Sequence, residues 1–183
     1  MLIIMSGLPG TGKSTIAREL ARRLNGVYLR ADTIAQALIS AKVLKDDNNP
    51  TAYIVGYAVA EENLRTGAIV IADYVNGIEL TRRAWRDVAG RANASFHEIE
   101  VICSDAVEHW RRIETRVSDI AGLVLPTWQQ VIDRAYEKWD AGTTTIDTAT
   151  TSLEDAVAGL LVQFGKDGGE DWNALQRTIS TLR

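Results

Sequence analysis

The stretch Gly7-Leu8-Pro9-Gly10-Thr11-Gly12-Lys13-Ser14 determines how this chain begins to fold, because it joins an apolar run at 2–6 to a segment of helical spacing. Its glycines let the backbone wrap closely, so that N–H groups and the positive end of the following helix can cradle phosphate oxygens. Lys13 is expected to reach the β- and γ-phosphates, and the Ser14 hydroxyl to ligate Mg²⁺. Thr15 is expected to assist at the α-phosphate. The pattern predicts a phosphate-binding loop over residues 7–15, with a plain glycine turn as the alternative.

The composition is that of one soluble, globular domain. Of the 183 residues, 46% are hydrophobic and 24% are charged. The net charge of −4 argues against nucleic-acid binding, which usually needs a basic face. Cys103 is the only cysteine, so no intramolecular disulfide can form. The first apolar run is too short for a signal peptide, and no run approaches the roughly 18 residues of a membrane span. We therefore expect a cytoplasmic protein with no membrane partner.

Predicted strands and helices alternate along the chain. Apolar runs predict strands at 2–6, 27–29, 68–72, 96–103 and 144–147. Asp32 and Asp105 are expected to be helix N-caps. Helical spacing predicts helices at 13–24, 32–41, 51–65, 79–92, 105–116, 128–139 and 153–164. This alternation predicts a parallel sheet with right-handed crossovers, in which ligands bind beyond the carboxyl ends of the strands.

From Met1 to about Gln163 the chain resembles the P-loop kinase-like ATPases, which include zeta-toxin-like proteins, gluconate kinases, adenylylsulfate kinases and polynucleotide-kinase-type domains. Four stretches carry the likeness: GLPGTGKST at 7–15, LRAD at 29–32, IVIADYVN at 69–76 and WRRIETR at 110–116. The resemblance implies a three-layer α/β P-loop NTPase fold, with a five-stranded parallel sheet in the order 2-3-1-4-5. It also implies a domain over 1–165 with a short helical lid at about 110–127. Residues 166–183 are then a linker and a C-terminal tail helix.

The resemblance also assigns roles to polar residues at the strand ends. Asp32 corresponds to the general base or substrate anchor, with a helix cap as the alternative. Asp73 corresponds to the acid that holds Mg²⁺ against Ser14, with a turn carboxylate as the alternative. Asn76 is a candidate substrate contact, and a plain turn asparagine is equally consistent with the sequence. Relatives often have an arginine where this chain has Ala35, and Arg30 is the candidate replacement as a substrate contact.

The lid is expected to bring arginines over the phosphates. Arg112 and Arg116 are four residues apart, so on one helix they would share a face and could neutralise charge on the transferred phosphoryl group. The alternative is a solvated helix face on which Glu108 pairs with Arg112. Arg111 is consistent either with a lid arginine over the phosphates or with a solvated helix face.

Four other features are expected to pack within the fold or to face solvent. Tyr53, Tyr57 and Tyr74 are expected to pack in the core, with an aromatic substrate wall as the alternative. Trp110 is expected to pack at the lid hinge. The histidines His97 and His109 show no metal-ligand spacing and are expected to be structural or exposed. The arginines of the helix 79–92 are expected to form a solvated face; they are Arg82, Arg83, Arg86 and Arg91.

Together these features predict a kinase that uses ATP and Mg²⁺ and transfers the γ-phosphoryl group to a hydroxyl or phosphate of a small molecule. We expect a monomer or homodimer. The first alternative is a nucleoside monophosphate kinase, which needs more arginines around its acceptor than the sequence indicates. A non-catalytic ATP-binding sensor and a toxin-like kinase acting on nucleotide sugars are further alternatives.

Overall fold

The computed structural model describes residues 1–46, 49–139 and 142–167. Within these ranges the chain forms five strands: β1 (Leu2–Ser6), β2 (Val27–Arg30), β3 (Val70–Asp73), β4 (Phe96–Ile102) and β5 (Thr144–Asp147). The helices within the same ranges are α1 (Lys13–Leu24), α2 (Ala31–Ser40), α3 (Thr51–Arg65), α4 (Glu79–Arg91), α5 (Ala106–Thr115), α6 (Trp128–Ile132) and α7 (Leu153–Asp167). The predicted residues 168–183, a linker and tail helix, lie outside the described part.

The strands form one parallel sheet in the order β2-β3-β1-β4-β5, which confirms the predicted fold class. β1 is central: Leu2 pairs with Val70 of β3 on one side and with Phe96 of β4 on the other. All five residues of β1 are buried. Because β1 ends between two neighbours that run in the same direction, the loop that follows it emerges at the carboxyl edge of the sheet, where such folds bind ligands.

Side chains of β1 alternate between two cores, which is why the protein has three layers. Ile3 and Met5 pack in a cluster that includes residues of α1 and α7. Leu2 and Ile4 point the other way, into a cluster that includes residues of α3 and α4. Each core is closed by helices, so a strand that is apolar on both faces is stable only at the centre of the sheet.

Two helix starts were predicted at aspartates, and one is confirmed. Asp105 is the N-cap of α5, where its side chain accepts hydrogen bonds from the backbone N–H groups of Val107 and Glu108 at 2.9 and 3.0 Å. The prediction for Asp32 is wrong: α2 begins at Ala31, the N-cap position is Arg30, and Asp32 lies within the first turn. A carboxylate in the first turn still interacts favourably with the helix dipole.

The predicted helix at 128–139 is the largest error, since α6 ends at Ile132. Residues 133–139, which we call the strap, have irregular backbone, and a buried arginine binds two of their carbonyl groups. The Arg82 guanidinium donates hydrogen bonds to the carbonyls of Glu137 and Lys138 at 2.6 and 2.9 Å. It also lies 3.9 Å from the ring centroid of Trp139. Arg82 is 2% exposed, so the prediction that it lies on a solvated face is also wrong.

The predicted lid is helical only as far as Thr115. The backbone of Arg116 is extended, and the described residues 116–127 contain no helix. This segment is instead held by a carboxylate: Asp119 accepts hydrogen bonds from Arg18 at 2.6 Å and from Arg30 at 2.8 Å. Trp110 does not pack at a hinge, since 48% of it is exposed.

Candidate functional site

The phosphate-binding loop leaves β1 through a glycine that no other residue could replace. Gly7 has a φ of +140°, and a Cβ there would lie 2.2 Å from the carbonyl oxygen of Val101. Its N–H donates to the carbonyl of Val75 at 3.1 Å, which fixes the start of the loop beside the end of β3. The first two residues of α1, Lys13 and Ser14, line the cavity, and their N–H groups have no acceptor within the helix.

Helix α5 holds the middle of this loop from the other side. His109 Nε2 lies 2.7 Å from the carbonyl oxygen of Pro9. Gly10 has a φ of +84°, and a Cβ there would lie 2.6 Å from Cδ1 of Ile113. His109 is 7% exposed and stacks edge-on against Trp128. The sequence reading of His109 as structural is therefore confirmed, but its contact with the loop was missed. The available signal was its spacing from Ile113, which puts both on one face of α5.

Lys13 and Asp73 form an ion pair at the cavity floor. The Lys13 ammonium donates to Oδ1 of Asp73, and the Tyr28 hydroxyl donates to Oδ2 at 2.6 Å. Asp73 is 1% exposed. Burial alone would raise the pKa of Asp73, but the Lys13 charge and hydrogen bonds from Lys13, Tyr28 and Ser14 outweigh burial, so the pKa is lowered. Asp73 is therefore a buried, ionised carboxylate at the end of β3.

The residues predicted to hold Mg²⁺ fit that ion. The Ser14 hydroxyl is close enough to the Asp73 carboxylate to lower its pKa, so two oxygen ligands of the kind that Mg²⁺ prefers lie near each other. Among the described residues, no group of three or more His, Cys, Asp or Glu side chains could hold a metal without other ligands. A Mg²⁺ bound here would thus depend on phosphate oxygens and water for its remaining ligands, as it does in phosphate-binding sites generally.

Arg112 reaches the loop through a threonine that sequence reasoning missed. Its Nη1 donates to Oγ1 of Thr148 at 2.8 Å, and Oγ1 of Thr148 donates to the carbonyl of Thr11 at 2.7 Å. On the other side, Nε of Arg112 donates to Glu108 at 2.8 Å. Hydrogen bonds from Arg111 and Arg112 lower the pKa of Glu108 to about 2. Both readings of the sequence hold: Arg112 pairs with Glu108, and it lines the cavity.

Arg111 and Arg116 have different surroundings. The Arg111 side chain is 58% exposed and pairs with Glu108, and Arg111 is absent from the cavity lining. Arg116 lines the cavity, but it follows the end of α5, so the prediction that Arg112 and Arg116 share a helix face is wrong. Nε of Arg116 is buried and has no hydrogen-bond partner among the described residues. The pKa of Arg116 is lowered overall, chiefly because the side chain is buried. The Asp32 charge raises this pKa, and the Arg30 charge lowers it further.

These residues surround one cavity of about 640 Å³ at the carboxyl edge of the sheet. The phosphate-binding loop forms one end, and residues 30–32 and 123–126 form part of the wall. Its lining includes the basic residues Lys13, Arg18, Arg30, Arg112, Arg116 and Arg134. The acidic residues described in the lining are Asp32 and Asp73. In a chain of net charge −4, this local excess of positive charge suits an anionic ligand.

Asp32 and Arg30 lie together on this wall. Nη2 of Arg30 donates to Asp32 at 3.1 Å. The Asp32 side chain is 52% exposed, whereas that of Arg30 is 12% exposed. A hydrogen bond from Arg30 lowers the pKa of Asp119, and the charges of Arg30 and Arg18 act in the same direction. Asp32 is thus accessible to a ligand, while Arg30 is already bonded to two carboxylates.

Asn76 does not face the cavity. It is fully buried and has a φ of +48°. Its side chain donates to the carbonyl of Met5 at 3.2 Å and accepts from the indole N–H of Trp85 at 3.1 Å. The proposed substrate contact from Asn76 is therefore wrong, because both ends of its amide are occupied by the protein.

The aromatic residues near Asn76 pack in the core, as predicted. Tyr53 and Tyr57 both pack against the buried cluster around Trp85, and Tyr74 belongs to that cluster. The ring centroids of Tyr74 and Trp85 are 4.9 Å apart. Cys103 is 9% exposed and is a small residue of the core.

The comparisons with known proteins agree with this architecture. A family model described as AAA domain matches residues 2–133. A protein from Chloroflexus aurantiacus j-10-fl, provisionally identified as a kinase, has a TM-score of 0.72 at 21% identity, covering 92% of this chain and 97% of that one. A sugar kinase from Janibacter sp. HTCC2649 has a TM-score of 0.62 at 14% identity, with 97% and 96% covered. Kti12 from Chaetomium thermophilum, in complex with ADP-AlF3, has a TM-score of 0.63 at 23% identity, with 87% and 97% covered.

These structural similarities show a shared P-loop kinase-like fold. In the described part of the chain, no helix combines the length and apolar character needed to cross a membrane.

Proposed function

Since this chain belongs to the AAA domain family and has the P-loop kinase-like fold, we propose that it is a phosphotransferase that uses ATP. It moves the γ-phosphoryl group to a hydroxyl or phosphate of a small molecule. The observation that carries this proposal is that one cavity contains the phosphate-binding loop at one end and an accessible carboxylate, Asp32, on its wall. A protein that only bound nucleotide would not need that carboxylate beside the loop.

The nucleotide end of the cavity binds the triphosphate. Backbone N–H groups of the loop and the start of α1 surround the phosphates, and Lys13 moves from Asp73 to the β- and γ-phosphates. Ser14 and Asp73 would hold Mg²⁺, which would supply positive charge to neutralise the β- and γ-oxygens. Thr15 lies in the cavity lining where it can assist at the α-phosphate.

The reaction takes place between Lys13 and Asp32. Asp32 accepts the proton of the acceptor hydroxyl as its oxygen forms a bond to the γ-phosphorus. The bond from that phosphorus to the oxygen bridging the β- and γ-phosphates breaks, and ADP leaves. Arg112 neutralises charge from the side of the loop, and Arg116 does so from the side of Asp32.

Calorimetry and turnover measurements test the two parts of this proposal separately. Lys13→Ala should weaken MgATP binding by about tenfold or more, because it removes a charged donor to the phosphates. Lys42→Ala, an exposed lysine outside the cavity, is the control. Equal MgATP affinity in Lys13→Ala and the parent would refute nucleotide binding at this loop.

Turnover is measured as ATP consumption with sugars, antibiotics, nucleosides and nucleoside monophosphates. Acceptor-dependent ADP release supports the kinase assignment, whereas tight MgATP binding with no such release from any acceptor favours a nucleotide sensor. Two further proposals come from the sequence: a cytoplasmic location, and a monomeric or homodimeric state.

A further inference from the structure

We propose that His109 is a positioning residue for the phosphate-binding loop: it orients the Pro9–Gly10 peptide so that the N–H of Gly10 points at the phosphates of the nucleotide. This inference rests on the proposed binding of ATP at the loop and specifies how one of its donors is aimed. His109 is absent from the described lining of the cavity, so it acts through the backbone and contacts neither nucleotide nor acceptor.

The first argument is the direction of one peptide group. His109 Nε2 lies 2.7 Å from the carbonyl oxygen of Pro9. A carbonyl oxygen can only accept a hydrogen bond, so Nε2 carries the proton in this contact. The Pro9–Gly10 peptide is trans, and the C=O and N–H of a trans peptide point in opposite directions. Because the carbonyl is directed at α5, the Gly10 N–H is directed away from α5.

The second argument is what lies on each side of this peptide. Pro9 and Gly10 both line the cavity. The other side of Gly10 is closed by α5, since a Cβ there would lie 2.6 Å from Cδ1 of Ile113 and 3.2 Å from Cδ2 of His109. Among the residues that the structure describes, no acceptor is bonded to the Gly10 N–H. This donor is therefore available on the cavity side, where a phosphate oxygen can accept from it.

The third argument is that neighbouring carbonyls of the loop are also bound by side chains. The carbonyl of Leu8 accepts from the Thr11 hydroxyl at 2.9 Å, and that of Thr11 accepts from the Thr148 hydroxyl at 2.7 Å. A carbonyl oxygen that turned toward a phosphate would repel it, because both carry negative charge. A donor on each carbonyl prevents that rotation, and His109 is the donor for Pro9.

The surroundings of His109 hold its ring in place. His109 is 7% exposed, and its ring centroid lies 5.2 Å from that of Trp128 in an edge-on arrangement. Trp128 begins α6 directly after Thr127, whose side chain forms a capping box with Gln130. A buried ring packed against a second ring has little freedom to leave Pro9. The peptide is therefore oriented before a ligand binds, which lowers the entropy lost on binding.

A matched pair of substitutions separates the hydrogen bond from the packing. Glutamine and methionine side chains have similar length and volume, but only glutamine has an N–H donor. His109→Gln should retain the parental affinity for MgATP. His109→Met should weaken it by about tenfold or more, because the Gly10 N–H is no longer aimed at a charged acceptor. An equal loss of affinity in both variants would assign His109 to packing alone and overturn the proposal.

Inorganic tripolyphosphate with Mg²⁺ separates this inference from the kinase proposal, because it supplies a phosphate chain without base, ribose or acceptor. Calorimetry should give the parental affinity for His109→Gln and an affinity at least tenfold weaker for His109→Met. Glu114→Met places the same residue at an exposed position of α5 and should bind as the parent does. If no acceptor is phosphorylated, the kinase proposal fails, yet this titration still tests His109. Equal affinities in all four proteins, or no binding to the parent, would refute its role.

The peptide group can also be observed directly, because Pro9–Gly10 is the only Pro–Gly pair in the sequence. With ¹³C in the proline carbonyls and ¹⁵N in glycine, a carbonyl–amide correlation spectrum contains a single signal, that of Gly10. Its amide proton should move to lower field when tripolyphosphate saturates the parent or His109→Gln, and less in His109→Met, because a hydrogen bond to an anion deshields the proton. A signal that does not move in the parent would show that the Gly10 N–H binds no phosphate and would overturn the proposal.

Discussion

Arg112 is joined to the phosphate-binding loop by Thr148: the guanidinium donates to Oγ1 of Thr148 at 2.8 Å, and that hydroxyl donates to the carbonyl of Thr11 at 2.7 Å. The threonine follows β5, so the far edge of the sheet determines where a lid arginine points. Under the proposed mechanism, Thr148 contacts no phosphate itself but orients Arg112, which does.

Thr148→Val tests this relationship, because valine has the shape of threonine and no hydroxyl. We expect turnover to fall by about tenfold, since Arg112 loses the partner that aligns it, and the KM for ATP to change little. The free energy of unfolding should fall by about 1 kcal/mol, the contribution of a typical hydrogen bond. Kinetics with the chosen acceptor and denaturant unfolding provide the two measurements.

The control for this experiment is Thr150→Val, which removes an exposed hydroxyl two residues away. It should leave turnover as in the parent. If Thr148→Val and Thr150→Val have the same turnover, Thr148 does not position Arg112.

Asp32→Asn tests the catalytic role of Asp32 with little effect on the stability of the fold. Asp32 is not the N-cap of α2, and 52% of its side chain is exposed, so the substitution should change the free energy of unfolding by about 0.5 kcal/mol or less. Loss of a general base should lower turnover by about 100-fold or more. Asp87→Asn on the exposed part of α4 is the matched control. An Asp32→Asn enzyme with parental turnover would remove Asp32 from the mechanism.

The lowered pKa of Asp73 gives a prediction for acid stability. The pKa in the folded protein lies below the ordinary value of 3.8, so the unfolded chain binds this proton more readily than the folded protein does. The stabilisation from the Asp73 carboxylate is therefore complete well above pH 3.8 and is lost as the pH falls through the folded pKa. In that window the loss approaches roughly 1.4 kcal/mol per pH unit.

Comparison with Asp73→Asn isolates this contribution from those of other carboxylates. The difference in unfolding free energy between parent and variant should be constant from about pH 5 to pH 7 and should shrink below about pH 4. Denaturant unfolding at each pH measures it. A difference that stays constant down to pH 3 would contradict the lowered pKa.

Arg82 should be among the residues that matter most for stability. Arg82→Met keeps the apolar stem but removes the guanidinium hydrogen bonds to four backbone carbonyls, those of Asn76, Gly77, Glu137 and Lys138. We expect unfolding to become easier by about 3 kcal/mol. Its exposed neighbour gives the control, since Arg83→Met should change stability by about 0.5 kcal/mol or less. Equal unfolding midpoints for the two variants would show that the strap does not depend on Arg82.

The sequence predicted those features that depend on interactions between residues close together in the chain. Residues 7–14 specify a loop through glycines at fixed spacing, and the apolar run at 2–6 specifies a central strand regardless of what surrounds it. The general position of Asp73 also followed from local pattern, because it directly ends a buried strand. These features depend on the backbone and on neighbours within a few residues.

The remaining features depend on partners that are distant in the chain. Helical spacing at 128–139 is real, but the backbone beyond Ile132 is bound at Glu137 and Lys138 by Arg82, about 50 residues earlier. The role of Asn76 depends on Met5 and Trp85. No local signal distinguishes a buried arginine from a solvated one on an amphipathic helix, so these assignments required the fold.

The two ends of the cavity differ in the kind of backbone that builds them. The loop at 7–14 is held rigidly between strand and helix, whereas the facing wall is made of irregular segments at 116–126 and 133–135 that contribute nothing to the sheet. Insertions and substitutions in such connecting segments are tolerated far better than changes in strands. Substitutions in these segments could therefore change which acceptor a descendant of this protein binds, while its phosphate-binding loop stays the same. Substitutions in the strap are more restricted, because this segment must continue to cover Arg82.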